Sequence, residues 1–421
     1  MTSRVAAISR VFSSLQVPNY RLYFVGQVIS LSGTWMQGVA QAWLVLDLTG
    51  SGTTLGVVSA LQFLPVLLFG PMGGVLADRY DKRRILYVTQ TIAAGLATVL
   101  GVLVATDTVE VWMVYVLASC LGFVYLVDNP TRQTFIHEMV GAEHLTNAVS
   151  LNSVVVNVAR VIGPAVAGTL IVAVGLAPCF FINAASYGAV LLALFLMNPD
   201  LLEGPPTRAR TPGQLLEGLR YVRSTPEVLI PLLMMAMVGT LAYEFQVVLP
   251  LFARFTFGGD AGTYSAMSVL MGFGAVAGGL ATAALGRRPP TALAWTAVIF
   301  GGIQMLTAAA PTLVTALVAL FFLGAASIRF LALGNATLQL AADPQMRGRV
   351  MALWAMAFLG STPIGGPLMG FIGEHAGPRI ALGLGGLATL AAGVLAYRAL
   401  ARIVGRPPAV APPIPPPKPI S

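Results

Sequence analysis

The sequence predicts an all-α membrane protein: twelve transmembrane helices in two six-helix bundles related by a parallel internal repeat. Three observations predict it. The chain of 421 residues is 57% hydrophobic and only 10% charged, whereas soluble domains run about 45–50% apolar and about 25% charged. Its apolar residues gather into runs close to the ~20 residues with which a helix crosses ~30 Å of hydrocarbon. Short stretches of text also recur between the halves at a nearly constant separation. Gly73-Gly74 returns as Gly278-Gly279, and Lys82-Arg83 as Arg287-Arg288. Asn129-x-Thr131-x-Gln133 returns as Asn335-x-Thr337-x-Gln339, and Gly163-Pro164 as Gly366-Pro367.

The helices are expected at 21–46, 53–77, 85–105, 109–128, 146–173 and 177–197 in the first half. In the second they fall at 227–252, 262–285, 291–310, 312–334, 348–372 and 378–402, with Pro311 marking the thinnest division. Most connections are short, so consecutive helices are antiparallel neighbours. Residues 1–18 form a cytoplasmic N-terminal segment without a cleavage site, and the first helix is expected to serve as its own insertion signal. Residues 19–198 and 227–403 are the two bundles, and 404–421 a proline-rich cytoplasmic tail. Between the bundles, 199–226 is a cytoplasmic loop. In it Thr211-Pro212-Gly213-Gln214 reads as a helix start, and Leu215, Leu216, Leu219 and Val222 as one apolar stripe of a short amphipathic helix. Cys120 and Cys179 lie inside apolar runs and are expected to pack as small core residues.

Orientation follows from the basic residues. Of the 24 Lys and Arg, Arg254 and Arg379 stand on one side of the barrier and Arg160 and Arg329 inside spans; the rest collect on the other side with both termini. The positive-inside rule puts that side in the cytoplasm, in an inner (cytoplasmic) membrane. The net charge of +8 therefore has a topological cause, and nucleic acid is not an expected partner.

The sharpest motif is GVLADRYDKRR at 74–84, closing the second helix. Gly74 allows close helix packing. Asp78 stands among Arg79, Lys82, Arg83 and Arg84, where it can face a helix N-terminus. Lys82 and Arg83 are expected to pair across the cytoplasmic mouth with Asp128, completing a gating latch; the plainer alternative is a positive-inside anchor.

These residues resemble the major facilitator superfamily, whose loop between helices 2 and 3 reads Gly-x-x-x-Asp-Arg-x-Gly-Arg-Arg. Position 81 is Asp where that motif has Gly, and the second copy has Ala283 where its Asp would stand. GTWMQGVAQAWLVLDLTGS at 33–51, LGVVSALQFLP at 55–65, DNPTRQTF at 128–135 and ARVIGPAVAG at 159–168 resemble the enterobactin-exporter-like branch of drug and siderophore efflux proteins. The likeness covers about residues 19–400. Gly163-Pro164-x-x-x-Gly168 resembles the fifth-helix motif of exporters and antiporters, and physically gives a bend or a close helix contact.

Ionisable residues inside a span cost at least ~2.5–3.5 kcal/mol and are usually paired or functional. Glu244 lies in the seventh helix, which in the resembled fold lines the central cavity. It is either a proton carrier or a hydrated Glu at the outer mouth. Arg160, one turn before Gly163, is expected to partner a carbonyl or carboxylate. Arg329 either faces the cavity and attracts an anion or snorkels to the inner surface. Trp35, Gln37, Gln41, Gln62, Tyr125 and Tyr243, with Gln27, Trp43, Phe63 and Phe245, suit a permissive amphipathic pocket.

Other chemistries find no support. HEMVGAEH at 137–144 lacks both zinc-protease spacings and reads as a cytoplasmic loop. Gly272-x-Gly274-x-x-Ala277 imitates a dinucleotide loop inside an apolar span, with no strand before it. There is no phosphate-binding loop and no nucleophile elbow, so neither an enzyme nor a cofactor nor a metal is expected. Parallel repeats of this size are a transporter architecture, with the substrate near the midplane between the halves. The resemblance implies a secondary active transporter that exports a small amphipathic molecule (drug, siderophore or secondary metabolite) by proton antiport and alternating access. An importer on the same fold, a membrane scaffold or a membrane-embedded enzyme are the alternatives.

Overall fold

A computed structural model describes residues 12–203, 214–284 and 291–404 of the chain. The expected N-terminal segment up to residue 11, the Thr211-Pro212-Gly213 helix start, Arg287-Arg288 and the proline-rich tail lie outside the described residues, as does the side chain of Ala283.

The first half holds α1 (Pro18–Thr49), α2 (Gly52–Arg79), α3 (Lys82–Ala105), α4 (Val111–Val174) and α5 (Ala177–Leu196). A short helix, α6 (Gln214–Ser224), precedes the second half. That half holds α7 (Pro226–Ala242), α8 (Phe245–Leu251), α9 (Ala261–Ala284), α10 (Thr291–Ala308) and α11 (Leu313–Ala341), then α12 (Arg347–Leu359), α13 (Thr362–His375) and α14 (Pro378–Val404). No strand occurs among the described residues. Among the described residues, ten helical runs are long and apolar enough to cross a membrane. Large apolar side chains also cover the outside, with Phe195, Leu306 and Val314 about 70% exposed or more. A surface that apolar belongs in lipid.

Local chemistry explains the ends. Ser51 caps α2 by accepting from Thr54 N at 3.1 Å. Asp81, the departure from the loop motif, caps α3 by accepting from Arg84 N at 2.7 Å. Gly50, with φ of 63°, closes α1 in the left-handed region that glycine adopts freely.

Three expected helices differ. The loop expected between the fourth and fifth spans is helical: α4 runs 64 residues from Val111 to Val174. At 1.5 Å per residue such a helix would be roughly 96 Å long, about three times the hydrocarbon thickness. It therefore folds back, at Gly141 (φ 66°, ψ −177°). Phe135, Ile136, Met139 and Val140 bury themselves against Tyr20, Tyr23 and Leu86, so the segment behaves as core rather than loop. The seventh span breaks at Tyr243–Glu244 between α7 and α8 and ends in a π-helical turn, Phe252–Thr256. Gln304 Nε2 donates to the Ala242 carbonyl at the break, at 3.3 Å. The eleventh span breaks at Gly360–Ser361, between α12 and α13.

The internal repeat is visible as packing. A Cβ on Gly73 would strike the carbonyl of Leu126 in α4, and one on Gly278 would strike the backbone of Ala325 in α11. Each half thus uses the first glycine of its Gly-Gly pair to bring two backbones together. The halves meet most closely on the face opposite the basic loop at 79–84. There Gly52 and Gly56 of α2 abut Gly370 and Gly366 of α13, and Gly168 of α4 abuts Ser265 of α9. Two polar ties cross the same face. Arg254 Nη1 bonds Asp47 Oδ1 at 2.7 Å, and Glu374 of α13 accepts from Ser51 and Thr53 of α2.

Helix α6 docks on the second bundle. Val222 is buried with Val228, Leu338 and Val350. Glu217 pairs with Arg349 at 2.9 Å, and Tyr221 Oη accepts from Asp343 N at 3.0 Å. Leu219, expected in the same apolar stripe, is exposed. Cys179 is buried, while Cys120 is exposed rather than core.

Candidate functional site

A cavity of about 500 Å³ opens against the first half, and its lining runs from Trp35, Gln37 and Gln41 to Asp128, Arg132 and Gln133. Its wall is built almost wholly by α1 to α5, with Gln246 and Val247 of α8 from the second bundle. Of the residues expected there, Trp35, Gln37, Gln41, Gln62, Phe63 and Tyr125 line it. The four-residue spacing of Gln37 and Gln41 puts both on one helical face. Gln37 Oε1 accepts from Asn183 Nδ2 at 2.6 Å, which ties α1 to α5 and fixes the amide.

Tyr243 and Arg329 are corrections: neither is among the lining residues. Tyr243 donates to Ser327 O at 2.8 Å and packs among Phe245, Phe300 and Phe358, with ring centroids 4.8–5.7 Å apart. The break in the seventh span turns it into the second bundle's aromatic core. Arg329 is half-buried on α11. Trp43 is buried in the closed face, with the Arg254 guanidinium 5.8 Å from its ring centroid.

The expected latch partners are redistributed. Asp128 is 2% exposed and lines the cavity; it accepts from Thr89 Oγ1 at 2.6 Å, from Gln90 Nε2 at 2.8 Å and from Arg132 Nε. Arg132 also donates to Gln27 Oε1. Asp128 is thus held inside the first bundle and does not pair with Lys82 or Arg83. Lys82 Nζ instead meets Glu138 Oε1 at 2.5 Å, with both residues buried. Arg83 donates to the Leu194 carbonyl at 2.9 Å at the end of α5. The physical reason is the helical continuation of α4: it carries Glu138 beneath the start of α3, where a loop would not. Asp78 and Arg79 stand exposed at the end of α2.

In the fifth-helix motif the two glycines do different work. A Cβ on Gly163 would meet Trp35, Ser32 and Met36 of α1, so this glycine packs the first bundle. Gly168 packs across to α9. Arg160 lies with its guanidinium 5.0 Å from the Trp35 ring centroid and lines the cavity. Its Nε is buried without a hydrogen-bond partner, and it makes no ion pair among the described residues, so the expected carbonyl or carboxylate partner is absent there.

Glu244 sits at the break of the seventh span with φ −79° and ψ 41°. It is 5% exposed, which removes the reading of a hydrated Glu at the outer mouth. It is not among the cavity's lining residues either. Its carboxyl points at α13: Oε1, buried without a hydrogen-bond partner, would be 2.8 Å from a Cβ on Gly365.

Sequence reasoning passed over Arg132, Asn152, Asn183 and Gln246, all of which line the cavity. A signal existed for one of them. Asp128 and Arg132, like Asn129 and Gln133, are four apart and share a helical face once the segment is read as helix.

A family profile described as transmembrane secretion effector matches residues 9–406. Among curated proteins, the uncharacterized MFS-type transporter YfiS of Bacillus subtilis is 30% identical over 215 residues, 49% of this chain and 50% of that protein. The staphyloferrin A transporter of Staphylococcus aureus is 32% identical over 177 residues, 41% of this chain and 44% of that protein. The match thus spans half or less of these two relatives. The multidrug efflux pump Tap of Mycolicibacterium fortuitum is 27% identical over 363 residues, 82% of this chain and 88% of Tap. Among solved structures, the nucleoside transporter NupG aligns with a TM-score of 0.71 at 13% identity, covering 92% of this chain and 100% of NupG. An inward-facing bacterial homologue of ferroportin aligns with a TM-score of 0.64 at 16% identity, over 92% and 99%. These two likenesses show the fold.

Proposed function

We propose, from the premise that this chain belongs to the transmembrane secretion effector family of the major facilitator superfamily, that it is a secondary active exporter of a small amphipathic molecule. The observation that carries the reading is the cavity against the first half. It is lined by amides and aromatic rings, and backbone-to-backbone helix contacts hold the halves together on one face. Such a site binds cargo from one side and, when the bundles rock, presents it to the other. The count of twelve crossings takes α1 and each arm of α4 as one pass. The basic face is cytoplasmic by the positive-inside rule, with both termini on it, so the cavity receives its cargo from the cytoplasm. The names of two relatives, a multidrug efflux pump and a staphyloferrin A transporter, support cargo of this size and class.

Protons are the proposed coupling ion, with Glu244 the carrier. A buried carboxyl is tolerated neutral and disfavoured as an anion. Its place at a helix break against α13 lets protonation favour one packing of the bundles, and coupling requires such a preference. Asp78, Arg79, Lys82 and Arg83 with Glu138 form the basic-face latch in this reading. The test is uptake of a panel of amphipathic dyes into inside-out vesicles. Accumulation that needs a proton gradient, and stops when an ionophore collapses it, is expected. Accumulation indifferent to the gradient would remove the antiport reading.

A further inference from the structure

Three charged side chains line the cavity: Asp128, Arg132 and Arg160. Asp128 and Arg132 cancel as an ion pair that is further held by Thr89, Gln90 and Gln27. Arg160 has no such partner among the described residues. The next acid, Glu244, points away into the interface with α13. Among the described residues, the cavity therefore carries one uncompensated cation. An arginine stays charged at every physiological pH, so this charge cannot be shed by deprotonation.

The surroundings hold that cation in place rather than neutralise it. The Trp35 ring faces the guanidinium at 5.0 Å, a cation–π contact that orients it without supplying a counter-charge. Gly272 of α9 lies against the Arg160 backbone, with 3.2 Å between the Arg160 carbonyl oxygen and a Cβ built there. Behind the side chain, Nε is buried and unpaired. Elsewhere the wall offers amides, from Gln37, Gln41 and Gln62 among others, which accept either polarity. The second half carries no charge at the positions that match Asp128 and Arg132. The repeat that sets Asn335 against Asn129 sets Gly334 and Leu338 against Asp128 and Arg132.

We infer that the cargo bears an anionic group, of carboxylate type, that docks on the Arg160 guanidinium while its apolar body lies along Trp35, Phe63 and Tyr125. The inference rests on the cavity being the cargo site. A planar guanidinium and a carboxylate match as a two-pronged, charge-assisted pair, and the partly desolvated setting strengthens it. A cationic cargo would face the same charge, and the acid among the described lining residues, Asp128, is already paired with Arg132.

The test uses two xanthene dyes of opposite charge, carboxyfluorescein and rhodamine 6G. Their equilibrium binding to the full-length protein in lipid nanodiscs is read by fluorescence anisotropy. Wild type should bind carboxyfluorescein at least tenfold more tightly than rhodamine 6G. Arg160→Gln should abolish that preference, and Arg160→Lys should keep most of it. Equal or tighter binding of rhodamine 6G by wild type, no binding of carboxyfluorescein, or a preference that survives in Arg160→Gln would each overturn the inference. A second measurement needs no variant: esterifying the dye's carboxylate should weaken wild-type binding at least tenfold, and unchanged binding overturns the inference. Dye movement across loaded proteoliposomes is scored separately. A binding preference without movement removes the transport reading and leaves the anion site. Movement without preference removes the anion site and leaves transport.

Discussion

Glu374 of α13 sits on the first turn of α2, where its Oε2 accepts from Thr53 N at 2.9 Å and from Thr53 Oγ1 at 2.6 Å. The first amides of a helix lack partners within it, and its N-terminus attracts negative charge. The carboxylate meets both needs from the other bundle. Replacing Glu374 by Gln keeps the shape and removes the charge. The closed face should lose about 0.5–1 kcal/mol, a small value because the site is solvent-exposed. Spin labels at Thr108 and Pro311 report the separation of the bundles there, and a longer-distance population should grow. An unchanged distance distribution would make the tie incidental.

Gly56 tests the same closure from within the packing. A Cβ on it would strike the Gly366 backbone and come within 2.7 Å of Pro367 Cα. Backbone does not yield as a side-chain tip does, so Gly56→Ala should cost the closed state about 1–3 kcal/mol. A cysteine placed at Gln62, in the cavity wall, should then react faster with an impermeant maleimide applied from the opposite face. Equal reactivity in both backgrounds would show that α2 and α13 do not hold that face shut.

Lys82 and Glu138 are both buried, and each is the other's counter-charge. Lys82→Met strands the carboxylate and should destabilise the protein by about 3–5 kcal/mol. Adding Glu138→Gln should recover more than half of the loss, since no charge then remains unpaired. Thermal unfolding followed by tryptophan fluorescence measures both. Additive losses in the double variant would mean that the two side chains act independently.

Glu244→Gln should abolish accumulation against a gradient and still permit downhill exchange. Proteoliposomes with and without an imposed pH difference separate the two. Uphill pumping by this variant would remove Glu244 as the carrier and leave its carboxyl a packing element of the break.

The fold was legible because hydropathy and short loops leave few arrangements for such a chain. The cavity's first-half wall was legible for a similar reason: an amide such as Gln37 or Gln41 in an apolar span has little else to do than bond a neighbour or face a cavity. What the sequence hid follows from backbone breaks. Nothing local announces that Tyr243–Glu244 interrupts a helix, and that interruption sends Tyr243 into an aromatic core and Glu244 toward Gly365. Likewise the polar text at 137–144 reads as loop until the burial of Phe135, Ile136 and Met139 is seen. The ion-pair partner of Lys82, Glu138, was lost with it. Charge pairing inside a span depends on rotation about the helix axis, which spacing alone sets only after the segment is known to be helical.

The cavity draws nearly all its wall from α1 to α5, whereas Glu244, whose buried Oε1 lacks a hydrogen-bond partner, belongs to the other half. If the proposed roles of the cavity and of Glu244 hold, recognition and energetics are separable traits carried on different stretches of one chain. A hybrid joining residues 12–203 of this protein to the second half of a family relative should inherit this protein's cargo preference and the relative's power source. The reciprocal hybrid should show the reverse, which makes the central linker a natural seam for recombination.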